Sequence, residues 1–443
     1  MRVLALDIGS SSVKAGYWDG RRFAARSRAA YPTHFDGPRA QVDPAQMLRA
    51  LTTAARQAVG GRKVDALAYC TFSSGVIVTD HDGTPRTPII THQDRRSTDA
   101  ALALAKALGK RWLLRHTGNL PYPGGIGSST LAWLHAHQPH TLLNDPRVGQ
   151  VSSFVGHHLT GEWTIDRSNA VFLGLLDIHA DAWSRRACAA VGVPRLSLPR
   201  LVWADEPWGT LTAAAARDLS LTAGLPVLGG FVDTSAAVIQ TPMHAGQLAH
   251  SAGSTDVLAM SLPAPAAIDG ILSRPVGVGR PGGPFANKSL WLAVRTIAAA
   301  GSSIAWLRRE LFRDLSDRRW QHLLANTCAA IRHPPADQLA VQCDPAFAGD
   351  RASIAAAAGA TLSGLTLAST REDLLAALLQ ALVRQSATNF YLLHALHRPG
   401  PKVYIMGGAA DLAAAMHAAW PGKRTCERLT GDSLRGLVTL AAG

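Results

Sequence analysis

The chain has 443 residues, of which 47% are hydrophobic and 17% charged, and its formal net charge is +13. This length and composition supply cores for about two domains, and they exclude a globally disordered chain. The Gly and Pro residues are scattered without a collagen-like period. The five Cys residues lie far apart, so neither a disulfide framework nor a zinc-binding pattern is indicated.

The positive charge does not indicate nucleic-acid binding. The basic residues are mostly dispersed Arg, and no RRM, helix-turn-helix or zinc-finger pattern is present. The alternatives are a compositional bias on a solvated surface and attraction of anionic substrates such as nucleotide phosphates. The N-terminal sequence MRVLALDIGSSS has no apolar leader region, and no stretch reads as a membrane span. We therefore expect a cytoplasmic protein without nucleic-acid or membrane partners.

The first half of the chain alternates strand and helix patterns. The segment VLALDIG-SSS-VKAGYWDG predicts a hairpin with a Ser-rich turn. A Gly/Pro-rich loop at residues 117–129 is longer than a simple turn, and such loops often carry function. The remaining patterns predict helices at Met47–Val59, Thr98–Leu108 and Ala132–Leu143, and strands at Val64–Cys70 and Val76–Thr79.

The second half repeats this organisation. A buried strand at Leu225–Phe231 leads to Asp233 and a helix, and QLAHSAGSTDVLAM predicts a second hairpin around a small-residue turn. A long helix follows at residues 371–397, then a strand at Val403–Ile405 and a helix starting near Asp411. The repetition predicts a duplicated α/β fold, with domains at residues 1–224 and 225–443.

Two of the predicted turns are suited to binding phosphate. Backbone N–H groups and hydroxyls in the first turn, Gly9 to Ser12, form an anion-binding concavity, and Lys14 adds a positive charge. Asp7, at the preceding strand end, is suited to hold Mg²⁺. The second turn, Ser251 to Thr255, has the same chemistry. The alternative for each turn alone is an ordinary hairpin.

Two further features follow buried strands in the second half. Gly407-Gly408-Ala409 gives a planar adenine access to the backbone, although a strand-to-helix turn often carries Gly for other reasons. Asp233 lies between a strand end and a helix, where a carboxylate can accept a proton from a substrate hydroxyl. The alternative for Asp233 is a helix N-cap.

Together these motifs resemble the FGGY family of carbohydrate kinases, which belong to the actin/Hsp70/sugar-kinase superfamily. The resemblance covers nearly the whole chain and is carried by ALDIGSSSVK (5–14), residues 65–97 with their D-x-R, NLPYPGGIGSSTLAWL (119–134), residues 166–183, GFVDTSAA, SAGST, AGSSIAWL and residues 347–351. It implies an α/β fold with two RNase-H-like (actin-like ATPase) domains, each with a mixed five-stranded sheet flanked by helices, around a deep cleft. It also implies ATP-dependent phosphorylation of a sugar hydroxyl.

The resemblance assigns roles to individual residues. Asp233 is implied to be the catalytic base, and Asp7 and Asp233 the Mg²⁺-binding residues. The implied ATP-binding residues are Gly9, Ser10, Ser11, Ser12, Lys14, Gly253, Ser254, Thr255, Gly301, Gly407, Gly408 and Ala409. The implied sugar-binding residues are Thr71, Phe72, Ser73, Asp94, Arg96, Gly124, Gly125 and Asp233.

The sugar-contact positions depart from familiar members of the family. Thr71-Phe72-Ser73-Ser74 replaces the xylulokinase QMHG pattern and the Arg-Glu of glycerol kinases, and Gly125 replaces a bulky glycerol contact. These departures predict a ketose of the xylulose or sedoheptulose type. The alternatives are gluconate, ribulose or a polyol as acceptor, or a degenerate kinase that senses sugar or nucleotide. The expected partners are a small sugar and ATP, with a homodimer as the candidate assembly.

Overall fold

The computed structural model describes residues 1–286, 288–332, 339–355, 359–429 and 433–442. Its strands are β1 (Val3–Ile8), β2 (Ser12–Trp18), β3 (Phe23–Ala30), β4 (His34–Asp36), β5 (Arg39–Val42), β6 (Ala66–Thr71), β7 (Gly75–Thr79), β8 (Ile89–Thr91), β9 (Arg147–Gln150), β10 (Thr164–Asp166), β11 (Leu176–Asp177), β12 (Ala182–Trp183), β13 (Arg200–Val202), β14 (Gly209–Thr210), β15 (Pro226–Val232), β16 (Leu248–Ala252), β17 (Asp256–Leu262), β18 (Leu272–Pro275), β19 (Trp291–Ile297), β20 (Gln342–Asp344), β21 (Thr361–Ser363), β22 (Lys402–Met406) and β23 (Thr425–Arg428).

The helices follow the strand pattern through both halves of the chain. They are α1 (Pro44–Val59), α2 (Thr98–Leu108), α3 (Lys110–Thr117), α4 (Gly127–His137), α5 (Val151–Thr160), α6 (Arg167–Leu173), α7 (Arg185–Ala190), α8 (Ala213–Leu219), α9 (Asp233–Val238), α10 (Gly301–Leu311), α11 (Asp317–Arg332), α12 (Arg371–His394), α13 (Ala410–Ala418) and α14 (Ser433–Ala442). Among the described residues, we find no helix whose length and apolar content would let it cross a lipid bilayer.

The chain forms two compact units that are interleaved in sequence. The first contains Met1–His244, Leu262–Leu292 and the described C-terminal residues 433–442, and the second contains Ala245–Ser261 and Ala293–Leu429. The α/β fold class with two sheet-containing units is thereby confirmed. The expected linear boundary between residues 224 and 225 stays a prediction.

The first unit is built on a mixed sheet with the strand order β14-β15-β6-β1-β2-β3. The central strands β15, β6 and β1 are parallel, whereas β2 and β3 continue the sheet as antiparallel neighbours. All six residues of β1 are buried, as expected for a central strand covered on both faces. The sheet has six strands instead of the expected five, because the two-residue β14 pairs with the edge of β15.

Strand β15 is irregular directly before its functional end. Its register with β6 shifts between Gly229 and Phe231, which marks a β-bulge. Gly230 has a φ of +70°, and a side chain there would overlap the ring of Trp208. The LGGF sequence therefore encodes a bulge instead of the straight strand that its apolar pattern predicts, and the bulge precedes Asp233.

The second unit carries the predicted second hairpin. Its strands run in the order β19-β17-β16-β22-β23, with β16 and β17 antiparallel and β22 parallel to β16. A core cluster of α10, α11, α12 and α13 side chains packs beside this sheet, with Phe312, Leu375 and Met416 fully buried. Helix α12 begins at a capping box formed by Thr370 and Asp373, which fixes its start as the sequence predicts.

Candidate active site

Three parallel strands of the first unit end beside one another. Ile8 of β1 and Val232 of β15 both pair with Thr71, the last residue of β6. The carboxyl ends of parallel strands commonly form the ligand-binding edge of an α/β sheet. Asp7 and Asp233 therefore lie at the same edge, on either side of β6.

Asp7 is held by three side chains. Ser433 Oγ donates a hydrogen bond to Asp7 Oδ2 at 2.6 Å, and Lys14 Nζ approaches the same oxygen at 3.3 Å. The Cys70 thiol donates to Asp7 Oδ1 at 3.8 Å, and burial together with the Asp7 and Asp233 charges raises the pKa of Cys70 well above its usual value. Asp7 is 6% exposed, so these contacts fix a carboxylate that is nearly withdrawn from water.

Asp233 is the first residue of α9, and Val232 is the N-cap. The N-cap alternative for Asp233 is therefore wrong. Its Oδ1 accepts hydrogen bonds from the Thr234 N–H at 2.6 Å and from Thr234 Oγ1 at 3.1 Å. Burial raises the pKa of Asp233 above its ordinary value, and the negative charge of Asp7 raises that pKa further. A carboxylate with a raised pKa is a stronger proton acceptor once it is ionised.

A buried arginine faces Asp233 and was not among the residues that the sequence singled out. Arg274 on β18 is 1% exposed, and its Nη1 donates to Ser235 Oγ at 2.5 Å. Within the described residues its Nη2 has no hydrogen-bond partner. Burial lowers the pKa of Arg274 to about 10, against the opposing charges of Asp233 and Asp166. A lone Arg between a Ser and a Pro carries no local motif, so only the fold reveals this position.

A second buried network holds the end of β15. Asp166 Oδ2 accepts hydrogen bonds from the Ser168 N–H at 2.7 Å and from Ser168 Oγ at 2.5 Å. Ser168 Oγ also accepts the Val232 N–H at 3.3 Å, and Asn169 Nδ2 donates to the Gly230 carbonyl at 2.8 Å. These bonds fix the bulge and the residue before Asp233. Burial raises the pKa of Asp166 despite these hydrogen bonds.

The first predicted phosphate turn joins β1 to β2. The Gly9 N–H donates to the Ser12 carbonyl at 3.0 Å, and the Tyr31 hydroxyl donates to the Gly9 carbonyl. Thr33 Oγ1 donates to the Ser10 carbonyl at 2.9 Å. Carbonyls of the turn are thus tied to neighbouring residues, while Ser11 is exposed at its tip. The structure places this turn directly after Asp7, as the sequence predicts.

The second predicted phosphate turn joins β16 to β17 in the second unit. The Gly301 N–H donates to the Gly253 carbonyl, and the Ser302 N–H donates to the Ser254 carbonyl, both at 3.1 Å. Thr255 Oγ1 donates to the Ala298 carbonyl at 3.1 Å. A side chain on Gly301 would lie 2.5 Å from the Gly253 oxygen, so only Gly permits this contact between the turn and the start of α10.

The predicted adenine-side glycines adjoin the same turn. Gly407 has a φ of +90°, and a side chain there would overlap the Ala252 carbonyl oxygen. The Ala409 N–H donates to that oxygen at 3.3 Å. No atom lies within 4 Å of a side chain built on Gly408. The second unit therefore brings Gly253–Thr255, Gly301 and Gly407–Ala409 together around an open backbone surface.

The predicted sugar-contact residues continue from the end of β6. Thr71 is fully buried, and its Oγ1 has no hydrogen-bond partner among the described residues. The Phe72 ring meets the His92 ring edge-on at 6.0 Å. Ser73 Oγ donates to Gln150 Oε1 at 3.2 Å, and Gln150 Nε2 donates to the Asn169 carbonyl. Gln150 therefore connects Ser73 with the network that holds β15, and no local motif identified it.

The predicted Asp94 and Arg96 form a buried ion pair with an N–O distance of 2.7 Å. Asp94 Oδ2 also accepts the Ala40 N–H at 2.8 Å, and Arg96 Nη2 donates to Gln41 Oε1 at 2.8 Å. Each partner thus uses its polar atoms within the protein, which fixes the loop around them. Their assignment to sugar binding stays a prediction.

The predicted Gly124 and Gly125 lie in the loop before α4. Gly124 has a φ of +68°, and a side chain there would overlap the His92 carbonyl oxygen. The Gly125 N–H donates to the Tyr122 carbonyl at 3.0 Å. Gly124 is therefore required by the packing of the loop, whatever its role toward a ligand.

The strand-end carboxylates fit a divalent cation. Mg²⁺ usually retains several waters and takes one or two protein carboxylates, and Asp7 and Asp233 supply such a pair. Within the described ranges, no group of three or more His, Cys, Asp or Glu side chains could hold a metal ion. The site thus suits a cation delivered with a phosphate ligand, and the two turns supply the N–H groups for that phosphate.

Comparison with known proteins identifies the family. The N-terminal domain of the FGGY family of carbohydrate kinases matches residues 2–240, and its C-terminal domain matches residues 248–419. The L-fuculokinase of Escherichia coli (strain K12) is 26% identical over 356 residues, which cover 78% of this chain and 70% of that protein. The xylulose kinase of Streptomyces rubiginosus is 28% identical over 258 residues, covering 57% and 53%.

Solved structures have the same fold. The xylulose kinase from Rhodospirillum rubrum superposes with a TM-score of 0.82 at 21% identity, covering 100% of this chain and 89% of that one. The gluconate kinase from Lactobacillus acidophilus gives a TM-score of 0.81 at 16% identity, covering 99% and 88%. The expected enzyme class, a phosphotransferase with an alcohol group as acceptor, is confirmed. The chain belongs to the FGGY family of carbohydrate kinases.

Proposed function

We propose that this protein transfers the γ-phosphoryl group of ATP to a hydroxyl of a small ketose. The observation that carries the proposal is the placement of Asp7 and Asp233 at adjoining strand ends, with the pKa of Asp233 raised. A hydroxyl with an ordinary alcohol pKa reacts with a phosphoryl group only when a base receives its proton. Asp233 is the residue suited to that task.

The two carboxylates divide the work. Asp233 accepts the hydroxyl proton as the hydroxyl oxygen forms its bond to phosphorus and the bond to the ADP oxygen breaks. Asp7, oriented by Ser433 and Lys14, holds Mg²⁺ together with Asp233. When bound, Mg²⁺ neutralises phosphate charge. Lys14 lies beside Asp7 and adds a cation near the first phosphate turn.

The turns and glycines hold the nucleotide. Backbone N–H groups of Gly9–Ser12 and Gly253–Thr255 donate to phosphate oxygens. Gly301 adds a helix N-terminus beside the second turn, where negative charge is favoured. The open surface at Gly408 accepts the adenine ring.

The ketose assignment is supported by the names of relatives and by the residues after β6. The relatives named L-fuculokinase and xylulose kinase carry the names of two ketoses. In this chain the strand end presents small hydroxyl side chains, Thr71 and Ser73, beside Phe72. Such a surface suits a polyhydroxylated ketose of five to seven carbons better than glycerol, which leaves polar groups unpaired.

An ADP-release assay with purified protein, ATP and Mg²⁺ tests this function. The acceptors are L-fuculose, D-xylulose, sedoheptulose, D-ribulose, gluconate and glycerol, and the Asp233→Asn variant controls for contaminating kinases. We expect the highest kcat/KM with one of the ketoses. A higher kcat/KM with gluconate or glycerol would contradict the ketose assignment. Sugar or nucleotide binding without turnover of any acceptor would favour the sensing alternative.

A further inference from the structure

The C-terminal helix α14 (Ser433–Ala442) lies beyond both matched family domains, which end at residues 240 and 419. It nevertheless belongs to the first unit, where it contacts β1, β6 and α9. Its buried face contains Leu434, Leu437 and Val438. The end of the chain therefore packs against the elements that carry Asp7 and Asp233.

The first residue of α14 contacts Asp7 directly. Ser433 Oγ donates to Asp7 Oδ2 at 2.6 Å, across 426 residues of sequence. A hydroxyl that caps its own helix accepts a backbone N–H, whereas this hydroxyl donates to a carboxylate. Hydrogen bonds to charged acceptors are shorter and stronger than neutral ones. Ser433 thus restricts the rotation of a carboxylate whose same oxygen also meets Lys14 at 3.3 Å.

The next turn of α14 contacts the helix that Asp233 begins. A side chain on Gly436 would overlap the carbonyl oxygen of Ala236 in α9. The two helix backbones are therefore in direct contact, which only Gly allows at this position. Ala236 lies three residues after Asp233, so the position of α14 also sets the position of the base.

We propose that α14 braces the catalytic edge, with Ser433 as a positioning residue for Asp7 and Gly436 as the contact that seats α9. This inference rests on the proposed function only in taking Asp7 as a ligand of the divalent cation. Loss of the Ser433 hydroxyl leaves Asp7 oriented by Lys14 and Cys70 alone. The carboxylate then spends less time in the orientation that binds the cation.

Metal binding by Ser433→Ala tests the first contact. Mn²⁺ is titrated into protein saturated with a non-hydrolysable ATP analogue, and free Mn²⁺ is measured by electron paramagnetic resonance. We expect Mn²⁺ to bind about three- to tenfold more weakly, the effect of one lost hydrogen bond. Ser433→Thr retains the hydroxyl and should restore binding. Thr439→Ala, which removes a hydroxyl bonded within the same helix to the Arg435 carbonyl, is the matched control.

Steady-state kinetics supply a second measurement. Ser433→Ala should lower kcat and raise the Mg²⁺ concentration at half-maximal rate, with the sugar KM unchanged. Unchanged Mn²⁺ affinity in Ser433→Ala would overturn the inference, and so would an equal loss in Thr439→Ala. Weaker Mn²⁺ binding in a protein that phosphorylates no acceptor would overturn the proposed function and support the brace.

Gly436→Ala tests the second contact. We expect its added methyl group to displace α9, lowering kcat even at saturating Mg²⁺ while the ATP analogue still binds. Circular dichroism at the assay temperature identifies the folded fraction to which the rates are referred. A folded variant with wild-type kcat would show that α14 does not seat α9.

Discussion

Asp7 raises the pKa of Asp233, although strand β6 lies between the strands that carry them. The interaction arises because β1 and β15 both end opposite Thr71. Two carboxylates at one edge disfavour simultaneous ionisation. A bound cation relieves that repulsion, so binding the metal and ionising the base are mutually favourable.

Replacing Asp233 with Asn should remove phosphotransfer while leaving the fold intact. The amide keeps the size of the side chain but cannot accept the hydroxyl proton. We expect kcat to fall by about 10²- to 10⁴-fold, the usual contribution of a general base. Calorimetry should show that an ATP analogue still binds. Asp99→Asn, at the exposed start of α2, is the control. Retention of more than roughly a tenth of wild-type turnover would exclude the base role.

Local sequence predicts the parts of this site that are continuous in the chain. The turns at Gly9–Ser12 and Gly253–Thr255 and the glycines at Gly407–Gly408 are encoded by residues that determine their own backbone conformation. Helix α2 begins and ends at the predicted Thr98 and Leu108. Helix α1 begins earlier than predicted, at Pro44, because the Asp43 side chain caps it by accepting the Ala45 N–H.

The unpredicted parts depend on residues far apart in the chain. Ser433 and Asp7 are 426 positions apart, and neither has a neighbour that indicates the other. Arg274 reaches Ser235 from a different strand, and Gln150 joins Ser73 to Asn169. Such contacts are set by packing, which no periodicity or turn motif encodes.

Gly253→Val should weaken nucleotide binding without unfolding the second unit. A side chain built on Gly253 meets only the Thr255 carbonyl oxygen, at 3.5 Å, so the turn itself accommodates it. The added groups occupy the space where phosphate oxygens approach the backbone. Calorimetry with an ATP analogue should show a smaller loss for Gly253→Ala than for Gly253→Val. Equal affinities of both variants and wild type would show that phosphates do not contact this turn.

Thr71→Val should stabilise the protein and impair the reaction. The buried Thr71 hydroxyl lacks a partner among the described residues, so its replacement by a methyl group should raise the free energy of unfolding by about 1 kcal/mol. If that hydroxyl meets the sugar, kcat/KM for the ketose should fall. Thr164→Val is the matched control, because Thr164 Oγ1 is also buried and without a partner there. It should stabilise the fold at unchanged kcat/KM. Unchanged kcat/KM in Thr71→Val would remove Thr71 from the sugar site.

Removing the buried cation at Arg274 should shift the pH dependence of the reaction. Asp233 must be ionised to accept a proton, so kcat/KM falls as the pH drops through its pKa. Asp7 and burial raise that pKa, whereas Arg274 lowers it by favouring the ionised form. Arg274→Met should therefore move the acidic limb of the kcat/KM profile to higher pH, while Arg274→Lys, which keeps the charge, should leave it near the wild-type position. An unmoved limb in Arg274→Met would show that the cation does not act on Asp233. Equal shifts in both variants would assign the effect to the lost bond with Ser235 instead of the charge.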